Sequence, residues 1–425
     1  MKLKLDYGTN GLMVDLPEER TTVIEPLHVP AAPDPVSVLR QAIAAPMGRR
    51  PLGELVKRGQ KIGISVCDIT RAQPRQLMIE ALFAEMPEVR RDDVTIFIAT
   101  GTHRRNSDAE IEKMIGAEFA RTCRVVCHDA RDNASLVDVG LTSTGVRVLL
   151  NRGWVESDFK ITTGFVEPHF FAGFSGGPKM VAPGLAGLDT VMTLHDAVRI
   201  AHPKATFGVI EGNPIHTDIR EISRMTGVDF SVDVTLNRDQ KITAAFAGDL
   251  FQEHAAACAS ARDKVMRAVD EPFDVVLTTN SGYPLDQNLY QAVKGMSAAV
   301  KVVKDGGTII CAAECRDGIP NHGPYGELLT TRNSARELLD MIMTPGFSRA
   351  DQWQVQIQAQ IQLKARVLVK ADGLSTEQLR AAKFDPLEDV SAGVKDALDA
   401  AGPGARLCVL PQGPQTVPYL RQGTG

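Results

Sequence analysis

Short apolar runs rich in β-branched residues alternate with helix-like stretches along almost the whole chain, and this alternation limits the possible folds most strongly. Strands separated by helices are typical of parallel sheets that carry helices on their faces. The predicted strands are 61–67, 94–99, 124–128, 159–163, 275–279, 308–312 and 406–410. The predicted helices are 73–85, 108–115, 287–303, 335–343 and 390–400. We therefore expect an α/β protein with largely parallel sheets flanked by helices.

The length of 425 residues exceeds what one typical core accommodates, so we expect two or three domains. A boundary falls near 268–272, where a long polar helix ends before a new strand. The predicted domains are 1–270 and 271–425, and the chain could return to the first domain near its C-terminus. Ligands of such sheets gather beyond the carboxyl ends of the strands, so we expect the functional site in the cleft between the two domains.

Charge and composition exclude several classes of protein. The net charge is -5 and no dense basic run occurs, which argues against nucleic acid as a partner. The N-terminus lacks the apolar stretch of a signal peptide, and no segment reaches the roughly 18 apolar residues of a membrane span. Seven cysteines, an odd number, favour reduced thiols in a cytoplasmic protein without a membrane partner.

Candidate functional residues follow the first two predicted strands. Asp68 and Arg71 come directly after strand 61–67, where an arginine could grip an anion through its bidentate fork. The alternative is a helix-capping aspartate with a surface arginine. His103 follows strand 94–99 and Gly101, and its near-neutral intrinsic pKa suits acid–base chemistry, although a structural role is equally open.

The segment 164–184, GFVEPHFFAGFSGGPKMVAPG, is the most informative part of the sequence. It presents His169, then Ser175-Gly176-Gly177, then Lys179. Such a glycine turn before a lysine resembles a phosphate-cradling turn, but it lacks the GxxxxGK[ST] pattern of a Walker A loop. The alternative is a tight turn with a solvated lysine. The aromatic pair Phe170-Phe171 is interpreted as core packing.

Other candidates lie on predicted helices. His195 and His202 are seven residues apart in a helix-like stretch, so they would share one face, either as metal ligands or as ordinary helix residues. Tyr290 and Lys294 are i,i+4 neighbours that could face one cleft. Trp353 lies in the glutamine-rich stretch DQWQVQIQAQIQ, where packing is the simplest role. We assign no role to His216.

Taken together, these segments resemble the lactate racemase family, the nickel-pincer enzymes. The resemblance covers most of the chain, and its segments occur in the family's order. They are 68–71 (DITR), 101–104 (GTHR), the long run 164–184, 289–295 (LYQAVKG) and 411–418 (PQGPQTVP). Two departures stand out. The double-acid, Thr-Arg-Pro form appears here as Cys67 to Ala72, without one acid and the proline, and Pro178 precedes Lys179.

The resemblance implies a cofactor, a pyridinium mononucleotide with two thio-acyl groups in which two sulfurs and one ring carbon hold nickel. Lys179 would join it covalently as a thioamide, and His195 would be the protein's nickel ligand. Ser175, Gly176, Gly177 and Asp68 would lie near it. Residues 1–270 would then form the cofactor-binding and catalytic domain.

The resemblance also implies a reaction, the racemisation or epimerisation of a 2-hydroxy acid by reversible hydride transfer through a 2-keto acid. His103 and His169 would exchange the hydroxyl proton, one for each enantiomer. The residues implied to bind the substrate are Arg71, Lys294, Gln291, Tyr290 and Trp353. Asp68 would also orient Arg71 or a histidine.

Several points stay open from the sequence. The partners would be a small 2-hydroxy acid and the enzymes that build the cofactor, but the side chain of the acid and the oligomeric state are not determined. Arg75 or Arg104 could favour a second carboxylate. The alternatives are a phosphate- or nucleotide-dependent transferase that uses the Gly-Gly-x-Lys turn, and a non-catalytic relative that binds the cofactor or nickel.

Overall fold

A computed structural model describes residues 1–320 and 323–421. The chain forms two compact units. The N-terminal unit comprises His28–His195 and His202–Lys264. The C-terminal unit comprises Met1–Leu27, Asp196–Ala201 and the chain from Val265 onward.

The strands and helices of the described ranges are numbered in chain order. The strands are β1 (Lys2–Leu5), β2 (Leu12–Asp15), β3 (Thr21–Val23), β4 (Ile62–Cys67), β5 (Val94–Ala99), β6 (Arg124–Cys127), β7 (Leu136–Leu141), β8 (Arg147–Asn151), β9 (Phe159–Phe165), β10 (Pro168–His169), β11 (Gly173–Phe174), β12 (Phe230–Leu236), β13 (Ile242–Gly248), β14 (Met266–Val269), β15 (Phe273–Thr279), β16 (Val303–Ala312), β17 (Arg366–Lys370), β18 (Asp385–Pro386), β19 (Leu407–Leu410) and β20 (Val417–Leu420). The α-helices are α1 (Pro35–Ala44), α2 (Leu52–Leu55), α3 (Arg75–Ala84), α4 (Asp108–Ile115), α5 (Ala117–Thr122), α6 (Arg152–Val155), α7 (Leu188–Leu194), α8 (Ala197–Ala201), α9 (Pro214–Thr226), α10 (Leu250–Val265), α11 (Leu289–Ala299), α12 (Tyr325–Thr330), α13 (Ala335–Met343), α14 (Gln352–Lys364), α15 (Thr376–Ala381) and α16 (Val390–Ala401).

The N-terminal unit is built on a six-stranded sheet in the order β13-β12-β9-β4-β5-β6. Its strands run parallel except β13, which pairs antiparallel with β12. Every residue of β4 and β9 is buried, as expected of central strands that are covered on both faces. Parallel pairing places the carboxyl ends of β4, β5, β9 and β12 at one edge of this sheet, and the candidate residues follow those ends.

The C-terminal unit holds a second six-stranded sheet in the order β18-β17-β16-β15-β19-β3, with parallel pairing throughout. Its edge strand β3 comes from the start of the chain and pairs with β19. Residues 1–27 therefore belong to this unit, whereas the sequence assigned them to the first domain. A strand of three residues carries too little periodic signal to reveal a partner that lies almost 400 residues away.

The predicted α/β class with parallel sheets flanked by helices is confirmed, and most predicted strands and helices differ from the structure by only a few residues at their ends. The helix expected across His195 and His202 is wrong. Helix α7 ends at its C-cap residue His195, α8 ends at Ala201, and His202 is exposed. The two histidines therefore do not share one helix face. The cleft between the domains stays a prediction.

Within the described ranges, no helix combines the length and the apolar character needed to cross a membrane.

Candidate active site

The loop after β4 pairs with the loop after β5 through an acid–histidine contact. Asp68 is buried, and its Oδ2 accepts a hydrogen bond from Nδ1 of His103 over 2.9 Å. The hydroxyl of Thr70 donates to the other carboxylate oxygen over 2.9 Å. Because Nδ1–H of His103 points to the carboxylate, the neutral ring carries its lone pair on Nε2. This tautomer suits a general base.

The capping role considered for Asp68 is wrong, because α3 begins only at Arg75, after Pro74. Burial alone raises the pKa of the Asp68 carboxyl group. The hydrogen bond from His103, the charges of His103 and Arg71, and the hydrogen bond from Thr70 outweigh burial and hold this pKa below its usual value. Asp68 is therefore a carboxylate that orients His103 and lies within the electrostatic influence of Arg71.

Arg75 stabilises the conformation of the loop that follows β4. Its side chain is buried and donates hydrogen bonds to the carbonyl oxygens of Cys67 over 2.7 Å, Gln73 over 3.1 Å, Arg71 over 2.7 Å and also Asp68. Four of its five N–H donors are thus directed at the backbone of residues 67–73. The suggestion that Arg75 binds a second carboxylate of the substrate is therefore wrong. Arg104, the other arginine considered, forms a bidentate ion pair with Glu110 at the surface.

The long segment after β9 brings three predicted residues around one aromatic ring. The centroid of Phe171 lies 4.5 Å from the His169 ring, 5.1 Å from the His195 ring and 5.8 Å from Nζ of Lys179. Phe171 is buried, so it fixes where these three side chains can lie. The sequence interpreted Phe171 only as core, and its contacts with the three candidates were missed because they depend on the tertiary fold.

The backbone holds His195 in one tautomer. Its Nδ1 lies 2.7 Å from the carbonyl oxygen of Val191, which can only accept a hydrogen bond. Nδ1 therefore carries the proton, and the lone pair of the neutral ring is on Nε2. A backbone carbonyl that fixes the second nitrogen is a common support for a metal-bound imidazole. In the described ranges, no group of three or more His, Cys, Asp and Glu side chains is arranged to hold a metal by itself.

His169 is held in the opposite tautomer. It pairs with Gly173 in the small β10–β11 hairpin, and the amide of Ala172 donates to its Nδ1 over 3.3 Å. Since Nδ1 accepts, the hydrogen of the neutral ring is on Nε2. The carbonyl of Ala172 in turn accepts a hydrogen bond from Nδ1 of the buried His216 over 3.2 Å. His216, to which the sequence gave no role, thus holds the carbonyl group of the same residue whose amide orients His169.

The donors of Ser175 and Gly177 in the Ser175-Gly176-Gly177 turn are used within the chain. The amide of Ser175 donates to the carbonyl of Glu167, and its hydroxyl donates to the carbonyl of Phe165. The amide of Gly177 donates to Oδ2 of Asp233 over 2.8 Å. The turn does resemble an anion cradle, but the anion in it is a carboxyl group of the protein. Contact of these donors with a phosphate is not supported, whereas the turn's proximity to a cofactor stays a prediction.

A buried carboxyl pair lies beneath this turn. Burial raises the pKa of Asp233 to about 7, although hydrogen bonds from Gly177 and Glu253 oppose the rise. Burial and the neighbouring charge of Asp233 raise the pKa of Glu253 as well. Glu253 also accepts a hydrogen bond from Ser231 over 2.5 Å. Both carboxyl groups therefore hold their protons to higher pH than they would in water.

Two buried histidines border the same turn. His254 Nε2 donates to the carbonyl of Ser175 over 2.9 Å, and its ring stacks on His216 with centroids 5.8 Å apart. Burial lowers the pKa of His216 to about 3 and that of His254 to about 4. The positive charge of Lys179 acts in the same direction on both. Both imidazoles are therefore neutral at physiological pH.

The three loops are joined by direct contacts. The amide of Gly101 donates to the carbonyl of Gly184 over 2.9 Å, which links the loop of His103 to the end of the segment 164–184. Cys67 Sγ lies 3.6 Å from Met180 Sδ, so the residues next to Asp68 and Lys179 are in contact. The N-terminal unit therefore gathers the acid–histidine pair and the Phe171 cluster at one edge of its sheet.

The remaining predicted residues lie in the C-terminal unit. Tyr290, Gln291 and Lys294 are on α11, and Trp353 is buried on α14. Nε1 of Trp353 lies 3.1 Å from the hydroxyl oxygen of Tyr290, and Gln354 donates to the carbonyl of Tyr290 over 2.6 Å. Tyr290 and Trp353 thus form one hydrogen-bonded pair, with Lys294 one helical turn along α11. Their role in substrate binding stays a prediction.

Comparison with known proteins gives consistent matches. The family model for the lactate racemase N-terminal domain matches residues 7–208, and that for the lactate racemase C-terminal domain matches residues 269–417. A lactate racemase of Thermoanaerobacterium thermosaccharolyticum is 32% identical over 419 residues, which cover 97% of each chain. A lactate racemase of Lactiplantibacillus plantarum is 34% identical over 379 residues, or 88% of this chain and 89% of the relative.

Solved structures agree with these matches. The lactate racemase apoprotein of Thermoanaerobacterium thermosaccharolyticum aligns with a TM-score of 0.92 at 31% identity, covering 99% of this chain and 100% of the other. A protein from Thermotoga maritima aligns with a TM-score of 0.70 at 18% identity, covering 91% of this chain and 99% of the other, and this second likeness concerns the fold alone.

We predict that Arg75→Met lowers the free energy of unfolding by about 3 kcal/mol or more, because several buried carbonyl groups lose their donor. Urea denaturation measures this change. The matched control is Arg104→Met, which removes a surface ion pair and should stay within about 0.5 kcal/mol of the original chain. Equal stability of the two variants would contradict the bracing role of Arg75.

A second prediction concerns pH. Because the folded chain holds the protons of Asp233 and Glu253 to higher pH than the unfolded chain does, the pair's contribution to stability is complete below about pH 4. It is lost as the pH rises towards 7. The double variant Asp233→Asn, Glu253→Gln lacks both groups. Between pH 4 and 7 the original chain should lose a few kcal/mol of unfolding free energy relative to this variant, since one pKa unit corresponds to about 1.4 kcal/mol. Parallel stability curves in urea titrations at each pH would refute the assignment.

Proposed function

The chain belongs to the lactate racemase family of isomerases, and on that premise we propose that it racemises or epimerises a small 2-hydroxy acid, with lactate as the first candidate substrate. The observation that carries the proposal is the set of contacts made by the ring of Phe171. It contacts His169, Lys179 and His195, and the resemblance assigns these three residues to proton transfer, cofactor attachment and metal binding.

The residues fit the implied nickel-pincer nucleotide. Lys179 offers a half-buried primary amine for covalent attachment. His195 offers Nε2 as a neutral nitrogen donor, because its Nδ1–H is held by the carbonyl of Val191. Once bound, such a cofactor supplies a reversible hydride acceptor, which removes the need to abstract a poorly acidic C–H proton.

The chain's own residues handle the hydroxyl proton and the carboxylate. His103 takes the proton at Nε2, while Asp68 keeps Nδ1–H in place and stabilises the charge that forms on the ring. In the tautomer that the Ala172 amide favours, His169 donates Nε2–H to the substrate oxygen. To accept the hydroxyl proton of the other enantiomer at Nε2, His169 carries its hydrogen on Nδ1 instead, so its contact with the Ala172 amide has to open. Arg71, near Asp68, is proposed to hold the substrate carboxylate through its bidentate fork.

Residues of α11 and α14 are proposed to complete substrate recognition. Lys294 is a second cation for the carboxylate, and Gln291 is a further polar contact. The hydrogen-bonded pair of Tyr290 and Trp353 would present a fixed aromatic surface to the acid. A wide range of 2-hydroxy acids shares the carboxylate and carbinol that these groups recognise, so the proposal is limited to that class.

The decisive experiment combines intact mass, metal analysis and turnover. The chain is produced together with enzymes that build the cofactor, and enantiopure L-lactate is then followed for formation of D-lactate. We expect an adduct on Lys179, about one nickel per chain and formation of the racemate. An unmodified lysine without nickel would overturn the proposal. A modified, nickel-bearing chain that leaves lactate and other 2-hydroxy acids unchanged would indicate the non-catalytic alternative.

Variants of the three histidines separate their roles. His103→Ala and His169→Ala should each lower turnover by about 10²-fold or more, the typical worth of a general acid or base, while the adduct on Lys179 remains. His195→Ala should instead lower the nickel content. His202→Ala is the matched control for the last variant, because His202 lies seven residues further on and is exposed. Near-normal turnover of either of the first two variants would refute the two-histidine assignment.

A further inference from the structure

The carboxyl group of Asp233 contacts the backbone of the segment 164–184, which carries Lys179. Asp233 lies in the middle of β12 and is paired in register with Gly164 of β9. A Cβ atom on Gly164 would come within 2.6 Å of Asp233 Oδ1, and one on Gly176 within 2.9 Å of either carboxylate oxygen. The glycines at both positions therefore leave the space that the carboxyl group fills.

One oxygen of the carboxyl group is bonded to the backbone of this segment. Oδ2 accepts the amide hydrogen of Gly177, two residues before Lys179. Asp233 Oδ1 and Glu253 Oε2 are both buried and have no hydrogen-bond partner among the described residues. Each carboxyl group shifts the pKa of the other, and a proton shared between these two oxygens would satisfy both. Glu253 is itself bonded to Ser231, whose hydroxyl accepts from Thr162 over 2.9 Å.

We propose that Asp233 is a positioning residue for Lys179, because its carboxylate replaces an external anion in the Ser175–Gly177 turn and fixes the backbone that presents the lysine amine. This inference rests on the proposed function in that Lys179 is the attachment residue. Gly176 and Gly177 have φ angles of +72° and +47°, which other residues rarely adopt. Without an anchor the turn has many other conformations available, and the amine would be presented less often in the reactive one.

Three variants test the proposal. Asp233→Ala removes the acceptor, whereas Asp233→Asn keeps an oxygen that can accept from Gly177. Asp229→Ala is the matched control, because Asp229 lies just before the same strand and its Oδ2 also accepts a backbone amide, that of Lys160, over 2.8 Å. Asp229 lies at the opposite edge of the sheet from the turn, so its removal costs a comparable bond without touching Lys179.

The first readout uses the protein without cofactor. Hydrogen–deuterium exchange of a peptide covering 175–181 is measured near pH 8, above the pKa of about 7 of Asp233, so that this carboxyl group is ionised. Exchange should quicken about tenfold or more in Asp233→Ala, as expected for loss of a hydrogen bond to a charged acceptor. Asp233→Asn should give a smaller rise of about threefold, because a neutral acceptor bonds less strongly. Asp229→Ala should leave this peptide unchanged. Unchanged exchange in Asp233→Ala, or an equal rise in the control, would overturn the proposal.

The second readout is the chemical accessibility of the amine. Lys179 of the protein without cofactor is acetylated with trace acetic anhydride, and its rate is compared with that of the other lysines by peptide mapping. We expect the acetylation rate of Lys179, relative to that of the other lysines, to change at least about threefold in Asp233→Ala. In Asp233→Asn this relative rate should return to that of the original chain, because the acceptor is restored. A general loss of stability would move all lysines together, so it would not produce this pattern.

If Asp233→Ala does not fold, Asp233→Asn decides alone through the exchange of the 175–181 peptide, with Asp229→Asn as its control. Failure of this inference is distinguishable from failure of the proposed function. If the original chain never carries an adduct on Lys179, the proposed function fails, whatever the exchange data show. If it carries the adduct but the Asp233 variants leave both readouts unchanged, only the positioning role fails.

Discussion

The parallel pairing of β9 with β4 on one side and β12 on the other is the constraint on which the candidate site depends. It brings the carboxyl ends of these strands to one edge, so that loops distant in sequence become neighbours. The contact between Cys67 and Met180 joins the first loop to the lysine segment. The register of Asp233 opposite Gly164 places a carboxyl group beneath that segment. A slip of one residue would turn Asp233 to the other face and leave the turn without its anchor.

For the glycine turn before Lys179, the sequence correctly indicated a preference for an anion. It did not identify the group that the turn binds. Backbone amides in such a turn do favour an anion, as the sequence suggested. The acceptor at Gly177 is nevertheless Asp233, which lies 56 residues further along the chain. The sequence offered one signal for it, an acid in the middle of the apolar strand FSVDVTL, where a charged residue needs a specific partner. Only the fold identifies that partner.

The sequence predicted the strands and helices well where periodicity was strong, as in the fully buried β4 and the capped helix α4. It failed where the outcome depended on distant contacts. His195 ends α7 instead of continuing towards His202, and the residues 195–202 alone did not reveal this break. Arg75 appeared as a spare charge because its acceptors are backbone carbonyls, which a motif does not show. Phe171 appeared as core, and it is buried, but its contacts with three functional candidates follow from the tertiary fold.

His103 and His169, the two histidines proposed to transfer the proton, are not equivalent, because different groups contact their Nδ1 atoms. A carboxylate faces Nδ1 of His103, so this ring is stabilised when it gains a proton. An amide hydrogen faces Nδ1 of His169, so this ring keeps its hydrogen on Nε2, and a second proton on Nδ1 would oppose the Ala172 amide. Enantiomers have equal free energies, so this asymmetry cannot change the equilibrium of a racemisation. If the two histidines act as proposed, the asymmetry determines the protonation state in which each enantiomer binds, because His103 would present an acceptor to the hydroxyl and His169 would present a donor. Full turnover in both directions would then require the Ala172–His169 contact, the longer of the two at 3.3 Å, to open, because Nε2 of His169 accepts a proton only when the ring hydrogen is on Nδ1.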